Sequence, residues 1–166
     1  LLNDSKYGYD VRDNVLRLTL LRSPAYPDPH ADEGRHRFTY AIYPHAGDWV
    51  QAGTVQRGYE LNYPLIPHPT NGHSGSLPPV PSFLRVEPNT VVLTALKKAE
   101  DSDAWILRFY EFAGKPTDVK IKLPKPPRAA SEVNLIEREI GPVVVNGQEV
   151  IISTKPYEIK TVRIEF

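Results

Sequence analysis

The sequence predicts an all-β fold, an antiparallel β-sandwich with at most one short helix. Short runs of alternating or β-branched apolar residues recur at strand spacing, and turn residues separate nearly all of them. The 166 residues also include 17 prolines, and these fall where helices would otherwise run. Hydrophobic residues make up 40% and charged residues 24% of the chain, so a packed core is available and a disordered or fibrous class is excluded.

Along the chain, Val15 to Leu20 places Leu16, Leu18 and Leu20 on one face and Arg17 and Thr19 on the other, the pattern of a half-buried strand that ends at Ser23-Pro24. Phe38 to Tyr43 repeats the pattern and is closed by Pro44, and a polar loop from Ser23 to Arg37 joins the two. Asp48 is placed to cap a helix from Trp49 to about Leu61, weakened by Gly53 and Gly58. From Pro64 to Ser82 the chain is rich in proline, with Gly72, Gly75, His68 and His73 and no periodicity, the composition of a connection. Beyond it, strands are expected at Thr90–Leu96, Trp105–Phe112, Asp118–Leu123, Glu132–Leu135, Val143–Val145, Val150–Ser153 and Tyr157–Phe166. Asn146-Gly147 predicts a hairpin with a type I′ turn. In Val119 to Leu123 the lysines alternate with apolar residues, one wet face against one dry face. Such short antiparallel strands assemble as a sandwich.

Lys+Arg and Asp+Glu both count 20 and the basic residues are scattered, which argues against nucleic acid or an anionic membrane surface as partner. No apolar run reaches the ~20 residues of a helical membrane span. The absence of cysteine removes disulfides, thiolate metal sites and cysteine nucleophiles, and leans towards a reducing compartment. The chain has no methionine and opens at Leu1-Leu2-Asn3-Asp4, which reads as a start in mid-domain, with further polypeptide expected upstream.

Three groups of residues are weighed for chemistry. Asp28, His30, Asp32, Glu33 and His36 gather two imidazoles and three carboxylates in nine residues. They are expected to hydrogen-bond the turns of their own loop, the alternative being a zinc site, which needs ligands converging within ~2.0–2.2 Å on a rigid frame. Glu100, Asp101 and Asp103, or Glu132, Glu137 and Glu139, could supply the paired carboxylates of a glycosidase, but they fall at strand ends and turns, where acids are ordinarily solvated. Tyr7, Tyr9, Tyr26, Trp49, Tyr63 and Trp105 could stack on sugar rings; Trp105 alternates with Leu107 and Phe109 and is expected in the core, while Tyr26 lies in a proline-rich loop open to solvent. There is no Gly-x-Ser-x-Gly elbow and no phosphate loop, which leaves acyl-transfer and nucleotide chemistry without a foothold.

Several stretches taken in order resemble a known family. Leu1-Leu2-Asn3-Asp4-Ser5-Lys6-Tyr7-Gly8-Tyr9-Asp10, Leu18-Thr19-Leu20-Leu21-Arg22-Ser23-Pro24 and His36-Arg37-Phe38-Thr39-Tyr40-Ala41-Ile42-Tyr43-Pro44-His45 are similar to the C-terminal region of family 38 α-mannosidases. Ala95 to Asp101, Ile106 to Glu111 and Lys155 to Thr161 continue the resemblance, so that it spans essentially the whole chain. The pattern is closest to the cytosolic and microbial branch, which implies a cytoplasmic location.

The resemblance implies an enzyme that removes α-linked mannose with retention, using a carboxylate nucleophile and a zinc ion, both in an upstream (β/α) domain that is followed by a helical bundle. This chain corresponds to the β-domains after them: residues 1–65 to the end of a large sandwich, 66–83 to a linker or loop, and 84–166 to a small C-terminal sandwich. It is expected to hold no catalytic residue and no metal, to pack on those upstream domains, and to be inactive alone. His30-Ala31-Asp32 mimics the family's His-x-Asp, but Glu33-Gly34 replaces the aromatic context that follows it there. Arg22 lines up with an arginine near the mouth of the cleft and is the one implied substrate-binding residue, its planar fork suited to sugar hydroxyls or an active-site carboxylate. The full-length enzyme could form a homo-oligomer. The competing readings are an autonomous carbohydrate-binding module and a purely structural interaction domain.

Overall fold

The computed structural model describes residues 1–77 and 81–166, so Pro78 to Val80 of the expected connection lie outside the described residues. Two compact units are present, Leu1–Asn71 and Gly72–Phe166.

In the first unit β1 (Leu2–Asn3) pairs antiparallel with β4 (Tyr40–Ala41) across a long stretch of sequence. Beside the pair, both oxygens of the Asp4 carboxylate accept the Thr39 N–H at 2.9 Å, and the Asp4 N–H donates to the Thr39 carbonyl at 3.2 Å. The Thr39 amide holds the Asp4 carboxyl below its ordinary value, against a smaller opposing effect of burial. Because the folded pKa is the lower one, the carboxylate's contribution is complete above the unfolded-chain pKa and is lost as pH falls through the folded value. Titrating the Thr39 amide shift should therefore show an inflection below the usual Asp range, and Asp4→Asn should abolish it.

Strands β2 (Tyr9–Arg12) and β3 (Val15–Leu18) form a hairpin over Asp13-Asn14, with Asp13 at φ 53. Its register sets Tyr9 opposite Leu18 and Val11 opposite Leu16, while Asp10 faces Arg17 and Arg12 faces Val15. One face is thus apolar and the other largely charged, with Arg17 paired to Asp10. The expected half-buried strand is corrected here: it ends at Leu18, and on the apolar face Val11 is 69% and Leu16 49% exposed. A two-stranded ribbon has no layer of its own to bury that face. The strand expected over Phe38–Tyr43 contracts to β4 because its partner offers only two residues.

The helix also starts later than the sequence suggests. Asp48 caps a single turn, its side chain accepting the Gln51 N–H at 2.8 Å and its carbonyl the Ala52 N–H at 3.0 Å. Gly53 then adopts the left-handed region at φ 65, and α1 runs only from Thr54 to Asn62.

The second unit is a sandwich of two antiparallel sheets. Its strands are β5 (Arg85–Glu87), β6 (Val91–Lys98), β7 (Trp105–Glu111), β8 (Thr117–Lys122), β9 (Ala129–Val133), β10 (Glu139–Pro142), β11 (Val144–Asn146), β12 (Glu149–Thr154) and β13 (Ile159–Glu165). One sheet has the order β10-β9-β13-β7-β6 and the other β11-β12-β8-β5. Alternation sends Leu107 and Phe109 of β7, Val119 and Ile121 of β8, Val150 and Ile152 of β12 and Val162 and Ile164 of β13 into one core. Trp105 packs at its margin, edge-on to Phe166 with ring centroids 4.8 Å apart. Lys120 and Lys122 stand on the exposed face between them, as their alternation with valine and isoleucine requires.

The expected hairpin forms between β11 and β12, but the turn sits one residue further on. Asn146 pairs with Glu149, so Gly147 and Gln148 are its central residues, and of the two only Gly147, at φ 59, has positive φ. That is the requirement of a type II′ turn, with glycine first, and not of type I′.

The Glu111 side chain is fully buried. Its oxygens accept the N–H groups of Ala113 at 2.7 Å, Gly114 at 2.8 Å, and Lys115 and Tyr157 at 3.2 Å. One carboxylate therefore ties the turn after β7 to the turn before β13. Gly114 has φ 72, which strains any residue with a side chain, and a Cβ there would lie 2.5 Å from the Tyr157 hydroxyl, so a larger residue would also have to displace that ring.

Candidate functional site

The arginine singled out by resemblance lies in a groove of the first unit. Beyond β3 the chain continues through Thr19 to Arg22 alongside Ser5 to Gly8, with the Thr19 N–H donating to the Gly8 carbonyl at 2.8 Å. The approach is close: a Cβ on Gly8 would lie 2.9 Å from the Thr19 Cβ, so only glycine lets the two segments meet. The loop that follows folds back and brings Asp32 and His36 to the same hollow, which has a volume of about 540 Å³.

Residues from three separate readings of the sequence thus meet here: Tyr7, Arg22, and the pair Asp32 and His36. The Arg22 guanidinium makes no hydrogen bond or ion pair with any described residue. Tyr7 is 93% exposed. A free five-donor fork beside an open aromatic ring and the hydroxyls of Ser5 and Thr19 can engage vicinal hydroxyls or a carboxylate.

The supposed metal ligands are engaged with their own loop. Asp32 Oδ2 accepts the Ser23 N–H at 3.0 Å, and the Asp32 carbonyl accepts from His36 Nε2 at 2.7 Å. Asp28 Oδ1 accepts the His30 N–H at 2.9 Å, and His30 Nδ1 lies 3.1 Å from Glu33 Oε1. Among the described residues no three His, Asp or Glu side chains converge as a metal would require. This loop does not fit zinc.

The acids weighed as glycosidase carboxylates are distributed over the sandwich, and all but Glu139 are bound to cations. Asp103 pairs with Lys98 at 2.6 Å, Asp101 with Arg163 at 3.0 Å, and Glu132 with Lys160 at 2.6 Å. Lys97 pairs with both Glu100 and Glu137, the latter at 2.9 Å. The Glu100 N–H and then Lys97 hold the Glu137 carboxyl low, and Lys98 does the same for Asp103. A general acid at neutral pH needs the opposite shift. Glu139 sits exposed on the edge strand β10. In a hollow of about 700 Å³ along β5 and β8, Arg85 is paired with Glu87 at 2.7 Å and Asp118 accepts the Ser153 hydroxyl at 2.6 Å. Of the aromatic candidates, Tyr26 is exposed as expected and Trp105 belongs to the core margin.

Comparison with known proteins gives these features a context. Residues 90–162, nearly the whole sandwich, match the model described as "Glycosyl hydrolases family 38 C-terminal beta sandwich domain", and residues 1–30 match "Glycosyl hydrolases family 38 C-terminal domain". The chain belongs to the C-terminal region of glycosyl hydrolase family 38. Both the β2–β3 ribbon and Arg22 fall inside the family 38 match of the first unit.

Among its relatives, "Alpha-mannosidase 2C1" of Homo sapiens is 38% identical over 166 residues, covering 96% of this chain and 16% of that protein. "Alpha-mannosidase G" of Dictyostelium discoideum is 35% identical over 167 residues, covering 98% of this chain and 15% of that protein. "Alpha-mannosidase" of Saccharomyces cerevisiae is 52% identical over 63 residues, covering 38% of this chain and 6% of that protein. The chain thus spans about one-sixth of the length of the first two.

The groove itself was not legible before folding. Tyr7 and Arg22 meet because β1 and the β2–β3 hairpin set Ser5 to Gly8 against Thr19 to Arg22. The close Gly8–Thr19 approach leaves only a lone glycine in the sequence as its signal.

Proposed function

We propose that this chain is the non-catalytic C-terminal β-portion of a retaining, zinc-dependent α-mannosidase, packed on its upstream catalytic and helical domains and shaping the rim of their cleft. The observation that carries the reading is the alignment of 96% of the chain with a stretch making up only 16% of a protein named α-mannosidase. Zinc and the nucleophile belong, in this reading, to the upstream domain. The uncovered apolar face of the β2–β3 ribbon supports the packing role, since four large side chains, Tyr9, Val11, Leu16 and Leu18, share one side of a hairpin that cannot bury them itself. The unengaged Arg22 fork supports the rim role. We also infer a cytoplasmic location, which the absence of cysteine supports.

The full-length enzyme carrying Leu16→Asp tests the packing. Burying an unpaired carboxylate against an apolar layer costs several kcal/mol, so α-mannoside hydrolysis and the temperature of inactivation should both fall. Arg12→Glu, on the opposite face of the same ribbon, should leave both close to wild type. Equal behaviour of the two variants would contradict the packing. The isolated chain should neither hydrolyse an aryl α-mannoside nor bind mannose oligosaccharides saturably; saturable binding would favour an autonomous carbohydrate-binding module.

A further inference from the structure

We infer that Asp32 is a positioning residue for Arg22: it holds the backbone immediately after the arginine and so aims the guanidinium across the groove. This rests on the reading of Arg22 as a rim residue that meets substrate.

Ser23 follows Arg22 directly and has φ 46, a left-handed conformation that a residue with a side chain adopts only when its surroundings impose it. What imposes it is visible. The Asp32 carboxylate, nine residues on, accepts the Ser23 N–H at 3.0 Å. Asp32 is itself left-handed at φ 62, and its carbonyl is held by His36 Nε2 at 2.7 Å. His36 thus fixes Asp32, Asp32 fixes Ser23, and Ser23 sets the direction in which the chain leaves Arg22. The Asp28 and His30–Glu33 hydrogen bonds close the intervening turns.

The cluster that resembles a metal motif in sequence is therefore a brace in three dimensions. Without the Asp32 acceptor, Ser23 loses the contact that selects positive φ and relaxes to the negative values ordinary for serine. That rotation moves the backbone on which Arg22 stands. Displacing a substrate-contacting group by about 1 Å is enough to lower turnover substantially.

The test is a double-mutant cycle in the full-length enzyme with an aryl α-mannoside, using Arg22→Ala, Asp32→Gly, Asp32→Asn and the Arg22→Ala/Asp32→Gly pair. Glycine and asparagine both tolerate the left-handed backbone at position 32, so neither strains the loop; asparagine keeps the side-chain acceptor and glycine removes it. Arg22→Ala should lower kcat/KM about tenfold or more, the loss of one charge-assisted hydrogen bond. Asp32→Gly should lower it on the order of threefold to tenfold, Asp32→Asn should stay near wild type, and the double variant should be no worse than Arg22→Ala alone.

A further loss on adding Asp32→Gly to Arg22→Ala overturns the inference, because Asp32 would then act independently of Arg22. Wild-type activity of Asp32→Gly beside an impaired Arg22→Ala also overturns it, while leaving the rim reading intact. Wild-type activity of Arg22→Ala removes the rim reading itself. Thermal midpoints show whether each variant folds; should Asp32→Gly fail to, His36→Phe, which deletes the donor to the Asp32 carbonyl, enters the same cycle with the same expectation.

Discussion

Glu111→Ala is expected to lower the unfolding free energy of the sandwich by about 3–5 kcal/mol, the cost of taking one partner from a buried, fully bonded charge. Four backbone N–H groups, those of Ala113, Gly114, Lys115 and Tyr157, depend on its two oxygens. The Glu111 side chain is fully enclosed, so water replaces those bonds only if the two turns separate. Glu111→Gln sharpens the test. An amide has one acceptor oxygen and one donor nitrogen, and its NH2 would face N–H groups that need an acceptor, so glutamine should recover little of the loss despite matching the shape. Urea unfolding followed by tryptophan fluorescence reports the effect, since Trp105 begins the strand that Glu111 ends. A loss below about 1 kcal/mol for both variants would mean that the turns are held without the carboxylate.

Phe109→Ala should cost a similar amount, about 3–5 kcal/mol, for a different reason. Phe109 is completely buried and stands among Val91, Leu107, Val119, Ile121 and Val162, from both sheets. Truncation removes transfer free energy and leaves a cavity that two hydrogen-bonded sheets cannot collapse to fill. Leu96→Ala is the matched control, because Leu96 is half exposed near the end of β6 and should cost about 1 kcal/mol or less. Phe109→Leu, which keeps most of the volume, should fall between them. If Leu96→Ala proved as damaging as Phe109→Ala, the assignment of the core to the inner faces of the two sheets would be wrong.

One-sided burial made some strands readable from the sequence. Val119, Ile121 and Leu123 alternate with Lys120 and Lys122, and that alternation is the physical signature of one face in the core and one in water. β12 was legible for the same reason, whereas β7 and β13, buried on both faces at Ile106-Leu107 and Thr161-Val162, were legible as runs of β-branched and aromatic residues bounded by turns. β1, β2, β5 and β10 were not. The first is two residues long and exists only because Tyr40 and Ala41 arrive beside it, and β5 is a three-residue strand paired with β8. Helix α1 begins late because Gly53 takes a conformation that composition alone does not announce. The hairpin at Gly147 was anticipated, yet its turn centre moved by one residue, since the β11–β12 register is set by Val144 and Val145 pairing with Ile151 and Val150.

The chain order of its residues determined the fold class, the alternation of the sandwich strands and the family 38 resemblance, all of which are written in local spacing and composition. Tertiary structure decided which loop residues work together. Ser23 and Asp32 are tied by a hydrogen bond spanning nine residues, Asp4 and Thr39 by bonds spanning 35, and Glu111 and Tyr157 by one spanning 46. A hydrogen bond reads distance and angle, not sequence separation. No local pattern can name its own distant partner, and the groove around Arg22 exists only once the chain has folded back on itself.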